Sequence, residues 1–496
     1  MNKGFIYFAI IAIGCYRLQA QNIDLSGINN SQGVTILGLP STSYGNVNYA
    51  GDVNADGLYD VLLWTDNNLY LIYGTKSGPS NIDLTSFNST QGFIISGSYD
   101  AAFSGTGDAN DDGIDDLIIT NTFESSVCVI LGNRNGVQNV NLTECGSGTS
   151  TIQIFGCTPG YTSCNTSLGT TVGGAGDVNG DGIQDMLIVG FQASTPSRSN
   201  AGVAYVLFGN KELSNTNLTN LNSTQGFSIL GQAFAFFGER ASRAGDVNGD
   251  GIDDLIIAAY YGFPTYVIYG STGISDIDLT NFNSSQGFTI YVQDEMQVTA
   301  VSNAGDVNGD GIDDLLIGLG NSTVGMAYVL YGSNNMPFKV VLSNITPAQG
   351  FSILTQQTSS FAAYASSIGD FNQDGLDDVV ISAYQDDNKA GAAYVILGTK
   401  SQPASITVDS LTNAQGITIL GADANENTGF TISGIRDFNG DNYPDIALGT
   451  RSDFVAGYVV YSPYSGTGPN PKPKSAERIG YKVLFTIIMA FILCML

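Results

Sequence analysis

The sequence is dominated by one acidic pattern, Gly-Asp-Val-Asn-Gly-Asp-Gly-Ile-x-Asp, which occurs in seven related copies along 496 residues. The copies begin at Asp52, Asp108, Asp177, Asp246, Asp306, Asp370 and Asp437. Successive starts lie 56 to 69 residues apart, and a second element, Gln-Gly-Phe-x-Ile-x-Gly, comes about twenty residues before most of them. A repeat of this length is typically one supersecondary unit that buries its apolar surface against its neighbours. The chain is therefore expected to fold as an array of seven similar units.

Each unit contains about four short apolar runs separated by Gly, Asn and Asp turns. Four strands in roughly 60 residues is the content of one propeller blade, and no unit shows the 3.6-residue apolar period of a helical solenoid. Tandem sandwiches are disfavoured because one unit is too small to bury both faces of a sheet. Continuously apolar runs such as Asp254–Ala258 suit inner strands that are buried on both faces. We predict an all-β fold, a seven-bladed β-propeller with about four antiparallel strands per blade.

The phase of the repeats predicts how the ring closes. The strand-like segment Gln32–Leu37 precedes the first acidic copy, and the last unit ends near Tyr461. We expect Gln32–Leu37 to complete the outer edge of the seventh blade, so that both ends of the domain meet in one sheet. The propeller would then occupy residues 21–461.

The acidic copies have the composition of a calcium-binding loop. In the copy that begins at Asp246, oxygen-bearing side chains occupy positions 1, 3, 5 and 9, Gly251 occupies position 6, and the carbonyl of Ile252 is available at position 7. Calcium takes six to eight oxygen ligands in flexible geometry, whereas magnesium resists a cage made only of protein. Glycine permits the left-handed conformation that turns the chain around an ion. The loop is related to the EF-hand loop, but its last acid falls at position 9 instead of 12, beside a strand instead of a helix.

The predicted ligands fall at positions 1, 3, 5, 7 and 9 of every copy. They are Asp52, Asn54, Asp56, Leu58, Asp60, Asp108, Asn110, Asp112, Ile114, Asp116, Asp177, Asn179, Asp181, Ile183, Asp185, Asp246, Asn248, Asp250, Ile252, Asp254, Asp306, Asn308, Asp310, Ile312, Asp314, Asp370, Asn372, Asp374, Leu376, Asp378, Asp437, Asn439, Asp441, Tyr443 and Asp445. Asn, Asp and Gly are also ordinary turn residues, but turn preference does not explain seven copies with the same four oxygen positions. The loops hold 26 of the 45 acidic residues, and carboxylates at such close range repel one another unless a cation lies between them. We expect up to seven Ca²⁺ ions.

The seventh loop departs from the pattern. Asn442 replaces the glycine at position 6, and Pro444 precedes the last aspartate. Asparagine visits the left-handed region more readily than most residues other than glycine. A weaker seventh calcium site is therefore expected.

Together with the Phe236-Phe237-Gly238 and Leu168-Gly169 elements, the loops resemble FG-GAP repeats, the blades of the integrin α-subunit head. The resemblance covers roughly residues 23–461. The Gly-Ala-Pro element is poorly kept, since the chain has Ala258-Ala259-Tyr260 and Ser382-Ala383-Tyr384 in its place. The resemblance implies a calcium-stabilised propeller with one face available for extracellular partners.

The two ends of the chain predict export and membrane attachment. Residues 1–20 have the layout of a secretory signal peptide, with an apolar run that ends at Cys15; a bacterial lipoprotein signal at Cys15 is the alternative. Residues 462–482 form a stalk rich in Pro, Gly, Ser and Lys, and residues 483–496 form an apolar tail. This order matches a glycosylphosphatidylinositol (GPI) attachment signal, and a short single-pass helix with Lys482 at the membrane surface is the alternative. The expected location is the extracellular face of a membrane.

Cysteine and asparagine usage also fits an exported protein. Among three possible connectivities we favour Cys157–Cys164, which leaves Cys128–Cys145. Sequons for N-glycosylation begin at Asn29, Asn88, Asn141, Asn165, Asn217, Asn222, Asn283, Asn321 and Asn344. Together with the terminal signals they predict a eukaryotic secretory glycoprotein.

Charge and composition exclude several functions. The net charge of −28 argues against nucleic acid, whose binding depends on Lys and Arg. The absence of histidine removes His-based zinc sites and Ser-His-Asp or Cys-His catalysis. We expect a non-enzymatic protein of adhesion or recognition that binds an extracellular protein or glycan. An extracellular hydrolase active on glycans or lipids and a structural surface-coat protein are the alternatives.

Three segments carry aromatic residues suited to contact with a partner. They are Phe234–Phe237, Tyr260–Phe263 and Tyr384–Asp387. Packing between blades explains each of them equally well. No sequon lies beyond Asn344, which favours the last two blades as unshielded surface.

Overall fold

A computed structural model describes residues 22–464 apart from eleven gaps. The gaps are residues 39–44, 66–67, 77–80, 98–101, 122–124, 157–167, 261, 293–295, 322–323, 356–359 and 453–454. The expected signal peptide, nearly all of the stalk, the apolar tail and the predicted Cys157–Cys164 bond lie outside the described residues. Within the described part of the chain, no helix is long and apolar enough to cross a membrane.

The strands form seven sheets of five strands each, which are the blades of a β-propeller. Blades are numbered here by their acidic loop, and the strands of a blade are counted outward from the centre of the ring. The first strands are Asn46–Gly51, Phe103–Gly107, Leu168–Gly176, Arg240–Gly245, Gln297–Gly305, Phe361–Gly369 and Thr431–Arg436. The second strands are Asp60–Thr65, Asp116–Asn121, Asp185–Gly190, Asp254–Ala258, Asp314–Gly320, Asp378–Ala383 and Asp445–Gly449.

The outer strands follow the same order from blade 1 to blade 7. The third strands are Asn68–Ile72, Ser126–Ile130, Val203–Leu207, Thr265–Ile268, Gly325–Leu330, Ala392–Ile396 and Val455–Val460. The fourth strands are Gly92–Ser96, Thr151–Phe155, Gly226–Leu230, Gly287–Tyr291, Gly350–Leu354, Gly416–Leu420 and Gly33–Leu37. The fifth strands are Val140–Asn141, Thr216–Asn217, Ile277–Asp278, Lys339–Val341, Ser405–Thr407, Ile23–Asp24 and Asn81–Asp83.

The four longer strands of each blade alternate in direction, as predicted, and the apolar runs that follow the loops are buried throughout. Asp254–Ala258 is buried at every residue, whereas the preceding strand Arg240–Gly245 is partly exposed. The apolar run is therefore the second strand of its blade, and the more polar strand before each loop lies at the centre. First strands of successive blades contact one another in a closed cycle from blade 1 to blade 7 and back to blade 1.

The ring closes as the repeat phase predicts. Gly33–Leu37 pairs antiparallel with Val455–Val460 and forms the fourth strand of blade 7, although the outer edge predicted for it is provided by the fifth strand, Asn81–Asp83. Ile23–Asp24, just before it, pairs with the fourth strand of blade 6. The start of the described chain thus completes the last two sheets.

A fifth strand in every blade was not expected. It is only two or three residues long, runs parallel to the fourth strand, and comes from the next unit along the chain. A one-turn 3-10 helix follows each one, and its first residue is buried and apolar. These helices are Leu25–Gly27, Leu84–Ser86, Leu142–Glu144, Leu218–Asn220, Leu279–Asn281, Leu342–Asn344 and Val408–Ser410. Each unit therefore reaches back to hydrogen-bond with the blade before it.

The apolar core consists of layers between neighbouring blades. One layer joins Leu187 and Val206 of blade 3 to Leu255 and Ile257 of blade 4, and similar layers recur around the ring. A disulfide links Cys128 of the third strand of blade 2 to Cys145 beside the following 3-10 helix, which confirms this predicted pairing. The described α-helix, Asp386–Lys389, lies between the second and third strands of blade 6.

Alternating strand directions divide the connections between two faces. Acidic loops join first to second strands, and we call their side of the ring the loop face. Hairpins between second and third strands, and connections from fourth strands to the next blade, lie on the opposite side, the hairpin face. This division follows because antiparallel neighbours end at opposite edges of a sheet.

Several sequon asparagines have a structural role in turns. Asn88 Oδ1 accepts the backbone N–H of Thr90 at 3.0 Å, and its Nδ2 donates to Gln91 Oε1 at 2.9 Å. Asn222 and Asn283 make the same contacts. The repetition of these sequons therefore follows from the fold, and their glycosylation stays a prediction.

Ring closure predicts an unequal effect of two neighbouring substitutions in the strand Gly33–Leu37. Ile36→Ala should lower the free energy of unfolding by about 2–4 kcal/mol, because it truncates a side chain with 0% exposure in the sheet that joins both ends. Equilibrium denaturation in urea measures this loss. Thr35→Ala, at a half-buried position of the same strand, should cost below about 1 kcal/mol. Equal losses would contradict the packing of this strand against the last blade.

Candidate calcium-binding loops

The aspartate at position 9 is the first residue of the second strand in every blade, as predicted. All seven are fully buried, with 0% exposure. In blade 1, Asp60 Oδ2 accepts the backbone N–H of Val53, at position 2 of the loop, at 3.0 Å. Asp60 Oδ1 accepts the N–H of Gly74, just beyond the third strand, at 2.9 Å. The same pair of contacts recurs in the other blades, with Ser462 in place of the glycine in blade 7.

Side chains at positions 1, 3 and 5 are drawn together at the mouth of each loop. Asp246 Oδ1 accepts the N–H of Asp250 at 3.0 Å, and its Oδ2 accepts the N–H of Gly251 at 2.8 Å. Asn248 Nδ2 donates to Asp250 Oδ2 at 2.9 Å. Blade 5 differs, because Asn308 Nδ2 instead points to Asp314 Oδ1 at 3.5 Å. The predicted carbonyl ligands at position 7 stay a prediction.

Two positions of every loop adopt the left-handed conformation. Position 6 has φ between 69° and 93°, and includes Asn442 at 69°, as its tolerance for this region predicts. Position 4 has φ between 54° and 78° in all seven loops, although Ala55, Asp111 and Gln373 are not glycine. A residue with a Cβ is strained in this region, so three loops hold a strained residue at position 4.

Burial raises the pKa of the position-9 carboxyl groups. The pKa of Asp116 rises to about 7, and those of Asp185 and Asp254 to about 8, chiefly because burial disfavours the charged form. The acids at positions 1 and 5 of the same loop push these values further upward. A divalent cation is an ordinary compensation for a buried carboxylate that has two further acids in the same loop.

The donor chemistry of the loops fits calcium. The predicted ligands of each loop include three carboxylates and one side-chain amide oxygen, and a carboxylate oxygen that accepts one N–H keeps a second lone pair for a metal. Within the described residues, no three His, Cys, Asp or Glu side chains form a metal cluster by themselves. The loop ligand set would therefore depend on asparagine and main-chain oxygens beside its acids.

The sequence pattern overlooked the residue at position 8, which joins neighbouring blades. Asp115 Oδ2 accepts the N–H of Asp52 in the preceding blade at 2.8 Å. Asp253, Asp313 and Asp377 make the equivalent contact in their blades. Their partners are the backbone N–H groups of Asp177, Asp246 and Asp306. An aspartate in four of seven copies was the available signal. At four junctions between blades, the side chain at position 8 thus hydrogen-bonds to the loop of the preceding blade.

The junction of blades 7 and 1 uses different chemistry. Position 8 of blade 1 is Tyr59, and Arg436 replaces the glycine that precedes the other loops. The Arg436 guanidinium lies 5.3 Å from the centre of the Tyr59 ring, and its Nη1 donates to the Tyr59 hydroxyl at 3.1 Å. A cation–π contact therefore replaces the aspartate–amide bond at the place where the ring closes.

The predicted contact segments lie on the hairpin face, opposite the loops. Phe234 is 62% exposed and Tyr260 is 42% exposed, whereas Phe237 is fully buried against Tyr266. The backbone of Phe234 has φ 63°, a strained value for an aromatic residue. Around blades 6 and 7, Tyr384 and Arg451 both lie against the ring of Phe430, at 5.5 and 5.6 Å. Blade packing, one of the two explanations weighed from the sequence, therefore accounts for Phe237, whereas Phe234 and Tyr260 are exposed and their contact with a partner stays a prediction.

Fold and loops together define a β-propeller with acidic loops between the first two strands of each blade. Family comparison finds FG-GAP repeats at residues 168–207, 238–275 and 362–396, in blades 3, 4 and 6. The chain therefore carries FG-GAP repeats in a seven-bladed propeller, as its loops and elements predicted.

Known relatives include integrin α subunits and a phosphatidylinositol-glycan-specific phospholipase. Integrin alpha pat-2 of Caenorhabditis elegans is 28% identical over 256 residues, which are 48% of this chain and 20% of the relative. Integrin alpha-PS2 of Drosophila melanogaster is 28% identical over 221 residues, 42% of this chain and 15% of the relative. Phosphatidylinositol-glycan-specific phospholipase D of Bos taurus is 29% identical over 184 residues, 34% of this chain and 21% of the relative. The matched regions thus span about a fifth or less of these proteins.

Backbone strain predicts opposite effects at two positions of the first loop. Ala55→Gly should raise the free energy of unfolding by about 0.5–1 kcal/mol, because it relieves a left-handed alanine with φ 54°. Gly57→Ala should lower it by about 1–2 kcal/mol. An added Cβ at Gly57 meets no atom within 4 Å, so backbone strain alone accounts for this loss. Thermal melts of both variants test the pair, and a shift of the same sign in both would contradict the assignment of strain.

Proposed function

We propose that this chain is a non-enzymatic calcium-binding propeller that acts in adhesion or recognition at the outer surface of a membrane. The observation that carries the proposal is the division of its chemistry between two faces. Repeated acidic loops occupy the loop face, and exposed aromatic residues collect on the hairpin face. Similarity to integrin α subunits supports a role in extracellular binding.

Calcium would be held by the oxygens at positions 1, 3, 5, 7 and 9 of each loop. Bound calcium would neutralise the buried carboxylates and fix the loop that links the two central strands of a blade. The chain contributes the acids, the left-handed turn at position 6 and the hydrogen bonds that pre-shape the loop. The seventh site keeps its four side-chain ligands and its left-handed Asn442.

Recognition would use the hairpin face. Seven large apolar side chains are exposed among the described residues: Phe155, Phe234, Tyr260, Val324, Phe338, Tyr364 and Leu420. All except Phe338 lie on or beside the hairpin face, at strand ends or in connections. Large apolar side chains exposed on one face make that face the candidate interaction surface. The partner would be an extracellular protein or a glycan, since both bind aromatic surfaces.

A hydrolase is the weaker alternative. The match to phosphatidylinositol-glycan-specific phospholipase D covers 21% of that protein, so its reaction does not transfer to this chain. The sequence also has no histidine to serve as a general base near neutral pH. The buried acids of the loops are engaged by backbone N–H groups.

An extracellular location is supported by the Cys128–Cys145 disulfide, since such bonds persist in oxidising compartments. The signal peptide at residues 1–20 would direct export. The tail at residues 483–496 would supply the membrane anchor, either as a GPI signal or as a short span. N-glycans on the predicted sequons are part of the same proposal.

Removal of calcium should lower the melting temperature of the full chain. A site that holds calcium at about ten times its Kd gains about 1.4 kcal/mol, and several such sites add their contributions. Extracellular sites of this kind have Kd values of about 10⁻⁴–10⁻³ M. Differential scanning calorimetry with calcium and with excess chelator measures the difference.

Magnesium at the same concentration is the control, and it should restore little of the lost stability. If chelation leaves the melting temperature unmoved, the calcium assignment fails.

The recognition surface is tested with exposed aromatic residues on different parts of the ring. Phe234→Ser should weaken binding of the purified protein to native surface material at least several-fold, because it removes the most exposed aromatic side chain among the described residues of the hairpin face. Phe338→Ser is the matched control, since Phe338 is 42% exposed but lies away from that face. Retained binding in the Phe234 variant, or equal loss in the control, would contradict the choice of face.

A further inference from the structure

One repeated position directly follows the third strand of every blade and is not among the predicted calcium ligands. In blade 1 it is the residue directly before Gly74, whose N–H donates to Asp60 Oδ1, and the other blades have an equivalent residue. From blade 1 to blade 7 it is Tyr73, Leu131, Phe208, Tyr269, Tyr331, Leu397 and Tyr461. In blade 5, Gly332 donates its N–H to Asp314 Oδ1 at 2.9 Å, and Tyr331 immediately precedes it. The position therefore sets a side chain close to the loop of its own blade.

Two of the tyrosines have hydroxyl groups that lack a hydrogen bond. Tyr331 and Tyr461 are 4% and 5% exposed, and neither hydroxyl has a hydrogen-bond partner among the described residues. The Tyr331 ring is held by Phe351, with ring centres 6.1 Å apart. A buried hydroxyl without a partner is costly and calls for a specific explanation, such as a water or an ion at the site.

The residue after each tyrosine bonds the position-9 carboxylate of the same blade: Gly332 N–H donates to Asp314 Oδ1 at 2.9 Å, and Ser462 N–H donates to Asp445 Oδ1 at 3.3 Å. Burial, and to a smaller extent the acids at positions 5 and 9 of the same loop, raise the pKa of each tyrosine. The acids are Asp310 and Asp314 for Tyr331, and Asp441 and Asp445 for Tyr461. These effects raise the pKa of Tyr331 to about 12. The hydroxyl is therefore a proton donor at neutral pH.

We propose that the hydroxyls of Tyr331 and Tyr461 form a second layer around the calcium sites of blades 5 and 7. Each hydroxyl donates a hydrogen bond to the loaded loop, either to a ligand oxygen or to a water that the ion holds. Groups of this kind orient metal ligands and tune affinity. The inference rests on the proposed calcium function and divides its seven sites into classes.

Three blades lack a tyrosine at this position, and their calcium sites would form the class without a second-layer hydroxyl. Leu131, Phe208 and Leu397 occupy the same position in blades 2, 3 and 6 and offer no donor. Phe208 packs on Phe227 at 6.0 Å, as Tyr331 packs on Phe351, so the two differ mainly by one oxygen atom. In blade 7, the Tyr461 donor would offset part of the weakness expected from Asn442 and Pro444.

Hydrogen exchange of the full chain, followed by mass spectrometry across a calcium titration, reads each loop separately. In the wild type, peptides that cover 306–314 and 437–445 should gain protection as calcium rises. In Tyr331→Phe the calcium midpoint of the 306–314 peptide should rise about tenfold, while the other loops keep their midpoints. Tyr461→Phe should shift the 437–445 peptide in the same way. Tyr328→Phe is the control in blade 5, because Tyr328 is a half-buried residue of the third strand, and it should leave the midpoint unchanged.

Stability gives a second readout that a purely structural hydroxyl would not reproduce. In excess chelator, Tyr331→Phe should melt at the same temperature as the wild type or higher, because the substitution removes a buried donor without a partner. With saturating calcium, it should melt lower. A loss of equal size in both conditions would overturn the proposal.

The outcomes separate this inference from the calcium assignment itself. Wild-type loops that show no calcium dependence would overturn the assignment. Calcium-dependent loops whose midpoints stay unmoved in both Tyr→Phe variants, or move equally in Tyr328→Phe, would overturn only the role of the hydroxyls.

Discussion

Every blade depends on one buried carboxylate that accepts two backbone N–H groups. In blade 1, Asp60 binds the amide of Val53 at the start of the loop and that of Gly74 beyond the third strand. Three separate stretches of chain are thereby fixed at one point: the loop, the first residue of the second strand and the end of the third. A charge buried in this manner is expensive without compensation, which ties the architecture of the blade to the chemistry at the mouth of its loop.

Local spacing allowed much of this site to be predicted from the sequence. Positions 1, 3, 5 and 9 recur within nine residues, so their convergence and the left-handed turn at position 6 follow from the loop itself. Closure of the ring was also predictable, because the strand Gly33–Leu37 comes before the first loop, whereas the last unit ends near Tyr461 with no further Gln-Gly-Phe-like element after it in the sequence. Position 8 was overlooked since Asp115 and its equivalents act across a junction between blades. The fifth strands escaped for another reason: pairs such as Val140–Asn141 are too short to show a periodic pattern.

Blade junctions are not all alike, although the units are. Aspartate at position 8 joins loops at four junctions, whereas Arg436 and Tyr59 join blade 7 to blade 1. The tyrosine position behind the loops varies in the same manner, with a hydroxyl in some blades and an apolar side chain in others. Repetition therefore preserves the loop backbone and its carboxylates, while the residues that surround them differ from one blade to the next. Hairpin-face connections vary further, in length and in aromatic content.

The fifth strands have a consequence for how such a molecule can grow or shrink. Because each unit lends a short strand to the sheet before it, the repeat in the sequence and the blade in space are offset from one another. A unit inserted in the interior would supply a fifth strand to the blade before it and receive one from the unit after it, so that a ring with one more blade would still have complete sheets. A unit cut from either end would strip an edge from a neighbour that remains. Duplication of an interior unit thus preserves complete sheets, whereas loss of a terminal unit does not.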